Sequence, residues 1–74
     1  MKNKFLKAFK EALEIDRQIE LSQNFKDYEE WNSLSRLSLI VMLDEEFGVQ
    51  IENQDFEKIS TVQDLFEVVE SRRT

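Results

Sequence analysis

Apolar residues near the start of the chain recur at intervals of three and four positions. They are Phe5, Leu6, Phe9, Ala12 and Leu13. This spacing places them on one face of an α-helix and predicts a first helix over about residues 3–14. The sequence contains no proline, so a longer first helix is an open alternative.

A second apolar stretch begins after Asn32 and ends at the only glycine of the sequence, Gly48. It predicts a helix from about Ser33 to Phe47. Asn is a preferred helix N-cap, and glycine often supplies the left-handed residue at which a helix stops. Val49 follows directly and can make the hydrophobic contact that often accompanies such a stop.

The remaining helical signals lie near the end of the chain. A short helical turn is expected near 54–58, and a last helix should run to about Ser71. Ser60 and Gln63 have capping-box spacing, and Arg72 and Arg73 suit the negative C-terminal end of a helix. The buried face of this helix should consist of Val62, Leu65, Phe66 and Val69.

Residues 15–32 do not follow one period. Aromatic residues recur every three positions at Phe25, Tyr28 and Trp31, and we expect a long, partly structured loop with these aromatic anchors. One helical turn is expected near 25–29. Together the elements predict an all-α fold, a bundle of three main helices plus one short helix, in a single domain over residues 1–74.

The second helix has two apolar stripes where a surface helix needs only one. One stripe holds Leu39, Ile40, Leu43 and Phe47. The other lies on nearly the opposite side and holds Leu34, Leu37 and Val41. We expect part of this second stripe to form an exposed patch, with Asp44 and Glu45 as a charged rim typical of partner sites. Alternatively, Leu34 and Leu37 cover the aromatic residues of the loop.

Composition argues against catalysis. The sequence has neither histidine nor cysteine, so no nucleophile–base pair of the usual kinds can be drawn. The same absence removes the most common metal ligand and every thiolate ligand. We therefore expect a non-catalytic protein without a metal site, whose carboxylates mostly form a solvated surface.

Charge is distributed unevenly along the chain. Residues 1–10 contain four lysines and no acid, whereas residues 11–70 contain 16 acids against four basic residues, a net charge of −12. Such an acidic body repels nucleic acids and attracts basic protein surfaces. No apolar run is long enough for a signal peptide or a membrane span, so a soluble, cytoplasmic protein that binds no membrane is expected.

The order of these motifs resembles that of the acyl carrier protein family. The string begins with Asn32, Ser33 and Leu34 and continues through Asp-Glu-Glu-Phe-Gly at 44–48. Ile59, Thr61, Val62 and Leu65 then match the Thr-Val-x-x-Leu start of the family's last helix. The similarity spans roughly residues 19–70 without a gap, and the first apolar stretch fits the family's first helix.

The resemblance implies a function and a set of site residues. Ser33 falls on the serine that carries 4′-phosphopantetheine, whose thiol holds acyl or aminoacyl groups as thioesters, and Leu34 falls on the motif leucine. A phosphopantetheinyl transferase, with magnesium at its own site, would transfer this 4′-phosphopantetheine arm from coenzyme A to Ser33. Acyl-loading and acyl-consuming enzymes with basic docking faces would bind a monomer through the second helix, at Leu37, Val41, Asp44 and Glu45.

Several positions depart from the family pattern. Asn32 replaces the usual Asp, Ser35 and Ser38 stand where acids are frequent, and Arg36 adds a positive charge. With these residues and with Trp31, the chain resembles specialised stand-alone carriers of polysaccharide or secondary-metabolite pathways more than the carrier of housekeeping fatty acid synthesis. Two alternatives are an unmodified, degenerate carrier fold that acts as an interaction or regulatory module, and a helical binding module unrelated to carriers.

Overall fold

Three α-helices organise residues 2–73, which are the residues that this computed structural model describes. They are α1 (Lys2–Leu13), α2 (Ser33–Phe47) and α3 (Val62–Arg72). Two 3₁₀ helices, Phe25–Asp27 and Asn53–Glu57, lie in the connections. The all-α class is confirmed, and α2 has the bounds that its cap and its glycine predict.

The first helix ends where the chain adopts a left-handed conformation at Glu14, with φ of 56°. The Ile15 N–H donates to the Lys10 carbonyl at 2.9 Å, which closes the last turn of α1. The alternative of a longer first helix is therefore wrong. Beyond this point Ile15 and Ile19 are buried in the core.

An aromatic cluster anchors the long loop between α1 and α2 to the core. Phe25 is fully buried, and its ring lies 5.8 Å from that of Phe9, 5.0 Å from Trp31 and 6.3 Å from Phe56, measured between centroids. Edge-to-face contacts of this kind stabilise aromatic clusters beyond their buried area. The helical turn expected at this place is present as the 3₁₀ helix Phe25–Asp27.

The same loop pairs with the start of α3. The N–H groups of Val62 and Gln63 donate to the carbonyls of Gln23 and Leu21 at 3.0 and 2.9 Å. These two N–H groups belong to the first turn of α3, where no intrahelical acceptor exists. The loop thus satisfies donors that would otherwise need water, and its middle is held in place.

The N-cap of α3 is Thr61, and the capping box joins Thr61 to Asp64. The hydroxyl of Thr61 accepts from the Asp64 N–H at 3.0 Å, and the Asp64 carboxylate accepts from the Thr61 N–H at 3.1 Å. The hydrogen bond that the Asp64 carboxylate accepts from the Thr61 N–H, together with one from the Ser60 N–H, holds the pKa of Asp64 below its usual value. The box predicted for Ser60 and Gln63 is wrong by one residue, because the Gln63 N–H is already bonded to Leu21.

A bidentate ion pair joins the second 3₁₀ helix to the end of α3. The Arg72 guanidinium donates to the two carboxylate oxygens of Asp55 at 3.0 and 3.1 Å, and to the Gln50 carbonyl at 3.0 Å. The Arg72 bonds, with one from the Glu52 N–H, lower the pKa of Asp55 from 3.8 to about 2.

Apolar side chains from every helix and from both connections meet in one core, and Leu39, Leu43, Leu65 and Val69 are fully enclosed. Within residues 2–73, no helix has the length and apolarity that crossing a membrane requires.

Candidate attachment site and docking face

The start of α2 is capped reciprocally by Asn32 and Ser35. The Asn32 side-chain oxygen accepts from the Ser35 N–H at 2.9 Å, and the Ser35 hydroxyl accepts from the Asn32 N–H at 2.8 Å. The Ser35 hydroxyl also donates to the Asn32 carbonyl at 3.0 Å. Asn32 therefore caps the helix as predicted. The role of Ser35 was missed, although the spacing of Asn32 and Ser35 is that of a capping box.

Ser33 is the first residue of α2, and it is exposed. Within residues 2–73, no group forms a hydrogen bond with its hydroxyl, and the N–H groups of Ser33 and Leu34 have no acceptor. These N–H groups and the positive end of the helix dipole favour an anion at this position. A phosphate ester on the Ser33 oxygen fits here without displacing any existing bond.

The second apolar stripe of α2 is exposed. Leu34, Leu37 and Val41 are 73%, 56% and 46% exposed, whereas Leu39 and Leu43 on the other side are fully buried. The alternative that Leu34 and Leu37 cover the loop aromatics is wrong, because both leucines are more than half exposed. Phe9, Trp31 and Phe56 pack around the Phe25 ring instead. The stripe begins next to Ser33 and continues along the helix.

Acidic side chains follow the stripe towards the end of α2. Asp44 and Glu45 are both exposed, as is Glu46. Among residues 2–73, none of the three forms an ion pair within 4.0 Å. Their charges are therefore available to an approaching basic surface.

A groove of about 720 Å³ runs between α1 and α2. Leu37, Val41 and Glu45 line it on the side of α2, and Lys4 and Lys7 line it on the side of α1. The residues of α2 predicted to form a docking face thus lie beside two lysines of α1. The sequence shows these lysines, but only the packing of the two helices places them beside the stripe.

A second open pocket, of about 500 Å³, lies between the first 3₁₀ helix, the start of α2 and the second 3₁₀ helix. Its lining consists of Lys26, Trp31, Arg36, Asn53, Gln54, Phe56 and Glu57. This pocket was not predicted, because it joins three segments that are separate in sequence.

Residues 2–73 contain no group of three or more His, Cys, Asp or Glu side chains that could hold a metal ion.

Comparison with known families gives a match over nearly all of the chain. Residues 3–69 match the family described as "phosphopantetheine attachment site". Over 41 residues, the chain is 42% identical to an acyl carrier protein of Thermosynechococcus vestitus; the match covers 55% of this chain and 51% of that protein. The matched part thus spans about half the length of this relative.

Two solved structures have the same fold. The solution structure of a holo acyl carrier protein from Geobacter metallireducens superposes with a TM-score of 0.79 at 22% identity, covering 95% of this chain and 82% of that one. A candidate acyl carrier protein from Mycobacterium tuberculosis superposes with a TM-score of 0.80 at 28% identity, covering 95% of both chains.

Proposed function

Because this chain belongs to the acyl carrier protein family, whose prosthetic group is 4′-phosphopantetheine, we propose that it carries acyl or aminoacyl groups on such an arm attached to Ser33. When bound, 4′-phosphopantetheine supplies a terminal thiol that forms thioesters. The protein supplies the attachment point, the orientation of the arm and the surface by which other enzymes recognise the carrier. It performs no chemistry on the cargo itself.

The observation that best supports this proposal is the contrast between two nearby serines. The Ser35 hydroxyl is buried, and it accepts a hydrogen bond from the Asn32 N–H and donates one to the Asn32 carbonyl. The Ser33 hydroxyl is exposed and has no partner among residues 2–73. A hydroxyl that must enter the active site of another enzyme and form a new bond has to be accessible and uncommitted.

During attachment, the Ser33 oxygen would form a bond to the phosphorus of coenzyme A next to the pantetheine, and the adenosine bisphosphate would leave. The hydroxyl proton would pass to a base of the transferase, because the carrier has no histidine and no carboxylate contacts Ser33 among residues 2–73. The free N–H groups at the start of α2 would then face the phosphodiester.

For docking, we propose the face formed by the exposed stripe and the acids of α2. Leu34, Leu37 and Val41 would make apolar contacts with the transferase and with acyl-handling enzymes. Asp44 and Glu45 would attract basic side chains on those partners, which speeds association. The stripe and the attachment serine share one helix, so docking on α2 would place Ser33 at a defined position relative to the partner.

The test is modification by a phosphopantetheinyl transferase with coenzyme A, read by intact mass. The parent protein should gain one 4′-phosphopantetheine, and Ser33→Ala should gain none while its circular dichroism remains helical. Ser22→Ala, which changes another exposed serine, is the matched control and should be modified like the parent. An undiminished mass gain in Ser33→Ala would overturn the assignment, and no gain in the parent with several transferases would favour the unmodified interaction module.

A further inference from the structure

Basic side chains are scarce in the acidic body of the protein. Residues 11–70 contain only Arg17, Lys26, Arg36 and Lys58. Arg17 donates two hydrogen bonds to the Glu30 carboxylate, at 2.7 and 3.1 Å, and these bonds hold the pKa of Glu30 below its usual value. Two of the other three, Lys26 and Arg36, line the same pocket.

This pocket combines two basic side chains and one carboxylate, that of Glu57, with aromatic walls. Trp31 and Phe56 pack against each other with ring centroids 5.6 Å apart. The Lys26 ammonium donates to the Phe56 carbonyl, which fixes it at the wall and leaves two of its three N–H bonds for another acceptor. Arg36 forms no ion pair with any acid among residues 2–73, so its guanidinium is uncommitted.

The pocket is adjacent to the proposed attachment point. Arg36 follows Ser33 by three residues on α2, and such positions are neighbours on the helix surface, about 5–6 Å apart at Cβ. Trp31 precedes Ser33 by two residues, directly before the N-cap. A group bonded to the Ser33 oxygen therefore starts within reach of the Arg36 side chain.

We propose that Arg36 binds the phosphodiester of the arm at Ser33 and holds the first part of the arm against the Trp31 pocket. This proposal rests on the attachment at Ser33 proposed above. A guanidinium matches the geometry of phosphate oxygens and binds them by two parallel hydrogen bonds. The free N–H groups of Ser33 and Leu34 contact the same anion from the helix end, and Lys26 adds positive potential within the pocket.

The consequence is a carrier whose arm is partly ordered on the protein instead of extending freely from it. A carboxylate at the far end of the cargo is the other anion that this pocket could receive. The phosphodiester is favoured because Arg36 lies beside its point of attachment, whereas a cargo carboxylate must fold back along the whole arm. Binding of the phosphodiester and binding of a cargo carboxylate give different results in the following experiment.

The experiment compares unmodified protein with protein loaded from coenzyme A, acetyl-coenzyme A or malonyl-coenzyme A. Intact mass first establishes that each sample is modified, so a failure of attachment is separated from a failure of this inference. Trp31 is the only tryptophan, and its fluorescence therefore reports on the pocket. The second readout is the melting temperature at low and high salt.

Loading from coenzyme A alone should change the Trp31 emission and raise the melting temperature by roughly 1–8 °C at low salt, the range expected for one exposed charge-assisted contact in a domain of this size. High salt should reduce this rise. In Arg36→Gln the change in emission and the rise in melting temperature should both be less than half of those in the parent. Arg36→Lys should restore part of each effect. The matched control is Lys58→Gln, which removes the same charge at a residue outside the lining of this pocket and should respond like the parent.

Two results would overturn the inference while leaving the proposed function intact. One is a fully modified protein in which neither the Trp31 emission nor the melting temperature changes, or in which both change as much in Arg36→Gln as in the parent. The other is a response that requires the malonyl group, which would assign the pocket to the cargo carboxylate instead of the phosphodiester.

Discussion

At the start of α2, two hydroxyl groups two residues apart differ in their availability for chemistry. The hydroxyl of Ser35 completes the cap of the helix, and removing it would leave the Asn32 N–H without its acceptor. The hydroxyl of Ser33 contributes to no such bond among residues 2–73. A change at Ser33 is therefore expected to affect modification, whereas a change at Ser35 is expected to affect folding.

Asn32 permits a test at the residue scale of what the missing family carboxylate does. Asn32→Asp should speed modification by a transferase, because the added charge attracts its basic surface. The melting temperature should change little, because Asn and Asp are comparable N-caps. The measurement is the modification rate of Asn32→Asp and of the parent at equal transferase concentration. Equal rates for the two proteins would contradict this prediction.

The control for this variant is Asn32→Ala, which removes the bond to the Ser35 N–H as well. Loss of an N-cap costs about 1 kcal/mol, which corresponds to a fall of about 4–8 °C in melting temperature for a domain of this size. The two variants together separate the capping role of Asn32 from its role in partner encounter.

At the scale of the helices, each end is defined by identifiable hydrogen bonds. α2 ends at Gly48 with φ of 66°, where the Gly48 and Val49 N–H groups donate to the carbonyls of Asp44 and Leu43 at 3.0 and 3.1 Å. Val49 is buried, so the stop of α2 is also part of the core. The direction of the following segment depends on this single left-handed residue.

Gly48→Ala should destabilise the protein through backbone strain alone. A Cβ at this position would meet no atom within 4 Å, so no steric clash contributes. The left-handed conformation costs a non-glycine residue about 1–2 kcal/mol, and the melting temperature should fall by several degrees. Gly48→Asn is the matched control, since Asn tolerates this conformation better and should lose less stability. Equal losses in thermal unfolding would contradict the explanation.

The ion pair between the second 3₁₀ helix and α3 predicts a dependence of stability on pH. Asp55 has a pKa of about 2 in the folded protein against a usual 3.8. The folded state therefore favours the ionised carboxylate, and this stabilisation is present above about pH 4 and is lost as the pH falls towards 2. Asp55→Asn should lower the melting temperature at neutral pH and flatten its decline over this interval.

Melting temperatures between pH 2 and 6 would measure this effect. The control is Asp16→Asn, which removes an exposed carboxylate that has no ion pair among residues 2–73. It should retain the decline of the parent. If both variants follow the same curve, the pair between Asp55 and Arg72 contributes nothing to acid stability.

At the scale of the whole molecule, the charge asymmetry of the sequence becomes a charge pattern in space. Lys4 and Lys7 of α1 lie along one side of the groove, and Glu45 and Glu46 of α2 lie along the other. The acidic side chains at the end of α2 remain unpaired among residues 2–73. Exposed charges act mainly through steering and are screened within about 10 Å at 0.1 M salt.

Reversing Asp44 and Glu45 to Lys together should slow association with the transferase and flatten its salt dependence, while the fold is retained. The control reverses Glu67 and Glu70 on α3, two exposed acids that change the net charge equally. Val41→Asp should instead mainly raise the dissociation rate, because it places a poorly solvated charge in the contact. Binding kinetics at two salt concentrations distinguish these cases, and equal effects from both charge reversals would place the docking face elsewhere.

Local signals in the sequence by themselves determined α2, from the Asn32 cap to the Gly48 stop, and the division of its apolar residues into two stripes. Such signals succeed because capping bonds and helical periodicity act over a few residues along the chain. The same is true of the expected turn at Phe25 and of the assignment to the carrier family, which depends on an ordered string of motifs.

The tertiary structure decided what depends on contacts between distant segments. Leu21 binds the Gln63 N–H, which shifts the capping box of α3 to Thr61, and no local pattern around Ser60 reports that bond. The packing of the loop aromatics on one another left the stripe of Leu34 exposed. The pocket that brings Arg36 beside Trp31 exists only because three separate segments meet there. The periodicity of apolar residues does not determine how the helices and loops pack against one another. That packing depends on apolar area, which is buried only when faces distant in sequence come together.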